Sequence, residues 1–167
     1  MMTINYNYHR ATGYRALVLF RTFIAFCILF LSSSSLAMEE KKAATTLNVD
    51  KSGVAIDGYD PVAYFTEKKA MKGDKAYTAD FRGATFRFAS AQHRDIFIKN
   101  PVQFVPQYEG FCAFHATQNK RTDVKPTSWE VVDNKLYLLA NKRIEKLWKK
   151  DMEENIKLAN ERWRNPS

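Results

Sequence analysis

The sequence predicts an α+β fold: small antiparallel β-hairpins packed with short helices and closed by a helical C-terminus. Two pairs of short runs carry the hairpins. Ala76 to Phe81 and Ala84 to Ala89, of near-alternating polarity, flank Arg82-Gly83, and Trp129 to Val132 and Leu136 to Leu138 flank Asp133-Asn134. Paired β-rich runs about a two-residue turn of this kind are a hairpin signal. Beyond Asn141 the apolar period becomes helical, with Ile144, Leu147 and Trp148 as one stripe and Met152, Ile156, Ala159 and Trp163 as another.

The chain has 167 residues, and residues 1–37 read as a signal peptide. Arg10, Arg15 and Arg21 give a positive start without acids, Phe23 to Leu31 is apolar, and Ser35-Leu36-Ala37 is a small-residue cleavage site. A nine-residue helix spans about 14 Å against a bilayer core of about 30 Å, which favours a cleaved signal over an anchor; an anchor needs the run extended back past Arg21. The expected location is therefore periplasmic or secreted. Residues 38–52 are polar and aperiodic and read as a flexible linker, and 53–164 as one domain.

Within that domain Val54-Ala55-Ile56 reads as a short strand and Gly58 as a turn. Asp60-Pro61 is a helix start, Asp accepting from orphan amides and Pro pre-set for the first turn, with Val62 to Phe65 as the helix. Ser90 caps a helix from Ala91 to about Lys99 that turns Ile96 and Phe97 inward and leaves His93 near its start as a surface residue. Asn100-Pro101 stops it and starts a short turn through Phe104. Tyr108-Glu109-Gly110 reads as a bend, Cys112 to about Asn119 as a helix, and Arg121 to Thr127 as a loop. No internal repeat is visible in the sequence.

Charge and cysteine content narrow the function. The leader holds three of the 26 Lys and Arg and none of the 18 acids, which leaves 23 against 18, or +5. The basic residues are scattered pairs beside acids, a solvated surface rather than a nucleic-acid arm. With Cys27 in the leader, Cys112 is the one thiol beyond it, so no internal disulfide forms there and the core must hold the fold. Cys112 and His115 lie three apart, a spacing that puts both on one face of a helical turn, able to share a soft metal ion. Copper(I) needs few donors, with Met71 or Met152 as candidates to add to the pair; a closed zinc site would need carboxylates as well. A position near a helix N-terminus is expected to depress the Cys112 pKa. Equally, a single Cys between Phe111 and Phe114 reads as a buried small hydrophobe. Thiol redox chemistry is the third reading.

No C-x-x-C, C-x-x-C-H, P-loop, dinucleotide fingerprint or G-x-S-x-G is present in the sequence, and thiol hydrolases bring Cys and His from separate elements. A nonenzymatic protein is expected, with no catalytic residue assigned.

Three segments, Gly58-Tyr59-Asp60-Pro61-Val62-Ala63-Tyr64-Phe65, Gly83 to Ser90, and Pro106-Gln107-Tyr108-Glu109-Gly110-Phe111-Cys112-Ala113-Phe114, are similar in order to motifs of exported bacterial YHS-domain proteins. The second hairpin and the tail through Trp163 extend the resemblance over about residues 53–164. It implies kinship with small cysteine-containing metal-binding modules, some of which accompany copper or heavy-metal transport. Glu109 stands where Gly is expected and His115 where a small or apolar residue is, so a ligand role for His115 rests on local chemistry alone. The expected function is metal binding, copper or zinc, through Cys112 and His115, with a metal ion or another exported or membrane protein as partner. The alternatives are a structural or protein-interaction domain with Cys112 buried, and a thiol redox protein.

Overall fold

The computed structural model describes residues 45–164. The expected signal peptide, its cleavage site and residues 38–44 of the expected linker fall outside them. A 3-10 turn at Ile56–Gly58 leads to helix α1 (Ala63–Thr66), then strands β1 (Asp74–Phe81) and β2 (Ala84–Phe88) and helices α2 (Ala91–Lys99) and α3 (Pro101–Phe104). A second 3-10 turn at Tyr108–Gly110 leads to α4 (Ala113–Ala116), β3 (Trp129–Val132), β4 (Lys135–Leu138), α5 (Lys142–Lys150) and α6 (Met152–Arg164). Each hairpin is its own two-stranded antiparallel sheet, so the class is the expected α+β. Both hairpin turns have positive φ at both central residues, Arg82 and Gly83 in one and Asp133 and Asn134 in the other; this is the type I′ requirement that matches strand twist. Among the described residues no helix is long and apolar enough to cross a membrane.

The order of elements repeats. Left-handed 3-10 turn, short helix, hairpin, capped nine-residue helix and following helix occur twice, with equivalent positions 51 or 52 residues apart. The turns carry three consecutive positive φ angles each, at Ile56, Asp57 and Gly58 and again at Tyr108, Glu109 and Gly110. Each turn is tied to its hairpin through the second residue of the returning strand: the Ala55 amide donates to the Thr85 carbonyl, and the Gln107 amide to that of Leu136. The long helices are capped alike, Ser90 accepting from the His93 amide at 3.1 Å and Asn141 from the Ile144 amide at 3.0 Å. Phe97 and Trp148, also equivalent, are buried anchors of their helices. The expectation of no internal repeat is thereby corrected: the duplication lives in backbone conformation and hydrogen bonding. Ile-Asp-Gly-Tyr-Asp and Tyr-Glu-Gly-Phe-Cys share little identity.

The apolar side chains form two clusters that broadly follow the halves. One gathers Phe86, Phe88 and Phe97 with Tyr64, Val62 and Leu136; the other gathers Cys112, Tyr137, Leu139, Trp148 and Ala159. The Tyr64 hydroxyl donates to the Pro126 carbonyl at 2.9 Å, joining the first half to the second.

Three expected boundaries shift. The linker ends earlier than residue 52: Leu47 is buried in the first cluster and Asn48 hydrogen-bonds Glu109 and Gly110, so the fold already includes this stretch. One Leu in a polar segment has no periodicity to betray it. Val54 to Ile56 make only isolated bridges, Val54 to Thr85 and Ala55 to Val49, because the left-handed turn starts at Ile56. The helix expected over Cys112 to Asn119 shortens to Ala113–Ala116, since Cys112 is non-helical, with ψ at 117°, and Asn119 is left-handed.

Gly73 packs against the strand opposite: a Cβ there would lie 2.5 Å from the Arg87 carbonyl carbon and 2.7 Å from its oxygen. Gly73→Ala is expected to cost about 1–3 kcal/mol through overpacking. Denaturant unfolding measures this, and an unchanged midpoint contradicts the close approach.

Candidate functional site

Each repeat buries one side-chain acceptor immediately after its left-handed turn, and these two acceptors define the candidate site. In the first half it is Asp60, fully buried. Its Oδ1 accepts from the amides of Val62 at 2.8 Å and Ala63 at 3.3 Å, the cap expected from Asp60-Pro61. Its Oδ2 accepts from the amide of Ala89 at 2.7 Å and lies 2.6 Å from His93 Nδ1. Ala89 is the residue that leaves β2, which explains why the strand stops one position earlier than its apolar pattern suggests.

His93 is 12% exposed and anchored, which corrects its reading as a surface residue. Ser90 as N-cap puts His93 at the third helical position, where a side chain reaches back towards the cap. Since the backbone partners of Asp60 are all donors, Asp60 acts as an acceptor throughout and Nδ1 supplies the remaining proton. The opposite ring nitrogen, Nε2, sits 3.9 Å from Glu67 Oε1, a carboxylate half-exposed at the end of α1. The hydroxyls near this pair are engaged elsewhere: Ser90 caps α2, Thr66 donates to the Val62 carbonyl and Tyr64 to Pro126.

In the second half the acceptor is Cys112, also fully buried. The Ala140 amide, just past β4, donates to Sγ at 3.3 Å, as the Ala89 amide does to Asp60. The backbone amides match too, Asp60 donating to the Met71 carbonyl and Cys112 to that of Thr122. Burial pushes the thiol pKa up, and the opposing pull of the His115, Ala140 and Phe114 amides does not outweigh it. The expected depression is thus reversed: α4 is one turn long, too short for an appreciable dipole, and desolvation dominates.

His115 lies in the same turn with its Nδ1 buried and without a hydrogen-bond partner among the described residues. Burial, then the charge of Lys120, holds its pKa below the ordinary value. Met152 packs against the cluster that contains Cys112, whereas Met71 belongs beside Asp60. Among the described residues no three His, Cys, Asp or Glu side chains are grouped to hold a metal ion. The donors around Cys112 therefore do not complete the four-ligand zinc site.

No family profile matches this chain, and neither curated proteins nor solved structures give a significant match. The Asp60 to His93 pairing is the feature that residue-by-residue reading missed. Its signal was available in Gly58-Tyr59-Asp60 beside Gly110-Phe111-Cys112, two buried acceptors in equivalent frames.

Asp60→Ala leaves the amides of Val62, Ala63 and Ala89 and the His93 ring unpaired, and is expected to cost about 3–5 kcal/mol; a loss below about 1 kcal/mol in equilibrium unfolding contradicts this role. For His115 the unfolded ring takes a proton near its ordinary 6.5 and the folded ring only at lower pH. As pH falls through 6.5 the unfolded state binds more protons and stability drops. Unfolding of His115→Gln across this range should show a smaller acid loss than wild type; identical profiles contradict it.

Proposed function

We propose that the protein is an exported, nonenzymatic binding module of YHS-like architecture in which Cys112 serves the fold. The carrying observation is the sulfur itself: fully buried, accepting the Ala140 amide, with its pKa raised by desolvation. A thiol in that state lacks the accessible thiolate that redox exchange requires. Export is supported by the leader-like residues 1–37. The scattered charge pairs favour a metal ion or another exported or membrane protein over nucleic acid as partner.

A second reading, copper(I) held by Cys112 and His115, is favoured by one observation. The buried, unpartnered Nδ1 of His115 lies three residues from the thiol and its low basicity keeps the ring available as a donor. Soft, low-coordinate copper(I) is the metal this donor pair would suit.

Thiol-reactive labelling of the full chain carrying Cys27→Ala separates the readings, alongside anaerobic copper(I) titration. The first expects modification only at the rate of unfolding, immediate modification in denaturant, and copper(I) affinity that Cys112→Ala and His115→Ala leave unchanged. Rapid labelling of the folded chain contradicts it, and copper(I) binding lost in both variants establishes the second.

A further inference from the structure

In the first half, the second ring nitrogen of His93 faces the Glu67 carboxylate. Asp60 fixes the His93 ring by its Nδ1, at 2.6 Å, so Nε2 points in a single direction. That direction holds Glu67 Oε1 at 3.9 Å, beyond hydrogen-bond distance. Two electron-rich atoms at this separation are complementary to a cation placed between them. Metal bonds of about 2.0–2.1 Å to imidazole and carboxylate at a tetrahedral angle set their donors about 3.3 Å apart. Glu67 is 51% exposed, so its side chain is free to close the difference. A carboxylate on the far nitrogen is the usual support for a metal-bound histidine, fixing the tautomer and raising the basicity of the ligating nitrogen.

From this geometry we infer that His93 Nε2 and Glu67 form a two-donor site for a borderline divalent transition-metal ion, with Asp60 as its positioning residue. Imidazole and carboxylate together suit copper(II) and zinc(II), and copper(II) binds the more tightly of the two. Two protein donors leave coordination positions for water or for a donor on a partner, which makes the site open and exchangeable. The second half cannot duplicate this site, because the position equivalent to His93 is Ile144, packed into the core. The inference rests on the module reading, with Cys112 left to the fold.

The test uses the untagged full chain titrated with copper(II), then zinc(II), followed by electron paramagnetic resonance of the copper(II) form. A copper(II) spectrum with imidazole nitrogen coupling is expected. It should disappear in His93→Ala, weaken in Glu67→Gln and persist in His115→Ala and Cys112→Ala. Asp60→Asn should lower affinity about 10- to 100-fold, the range for loss of such a support. Because Glu67 is exposed, Glu67→Gln reports on the site even if the buried variants fail to fold. Absence of a nitrogen-coupled signal, or one unchanged in Glu67→Gln, overturns the inference. A copper(II) failure with a silent native thiol removes this site alone, whereas rapid native thiol labelling removes the module reading whatever copper(II) does.

Discussion

A buried side-chain acceptor, placed directly after a left-handed turn, is the constraint on which both halves of this protein are built. Asp60 and Cys112 each receive the amide of the alanine that leaves the neighbouring hairpin, so one side chain fixes where turn, helix and sheet meet. The turns are unfavourable on their own. Ile56, Asp57, Tyr108 and Glu109 all hold positive φ, at about 1–2 kcal/mol per residue. Hydrogen bonds to a buried acceptor, with the clusters on either side, offset that cost. They cannot be exchanged for water without opening the core.

The two acceptors differ in capacity, and the asymmetry of the site follows. A carboxylate has room for several donors; Asp60 takes three backbone amides and still holds the His93 ring. Sulfur is a weak acceptor, and Cys112 takes the Ala140 amide. A histidine at the position equivalent to His93 would find no comparable anchor, and the chain places Ile144 there instead, packed against the cluster that holds Trp148. The polar chemistry is concentrated in one half while the other answers the same geometric demand with an apolar core.

The parts of the fold governed by local rules were legible. Arg82-Gly83 and Asp133-Asn134 encode type I′ turns, Ser90 and Asn141 encode helix starts, and Asp60-Pro61 encodes a cap, each through its own backbone chemistry. What escaped was set by distant partners. The sequence beside Cys112 cannot say that Ala140 will arrive at its sulfur, nor that burial will outweigh nearby amides. Leu47 looked like linker because its partners lie across the fold. His93 looked solvated because the group that orients it is 33 positions earlier. The duplication itself escaped because backbone conformation is kept where side-chain identity is not.

The most direct measurement is native-state hydrogen exchange of the Ala89 and Ala140 amides. Both donate to a buried side chain beyond the end of a strand, where an ordinary loop amide would exchange freely. Protection of both at the free energy of global unfolding is the predicted result. Exchange of either at the rate of an open loop would contradict the claim that Asp60 and Cys112 organise the two halves.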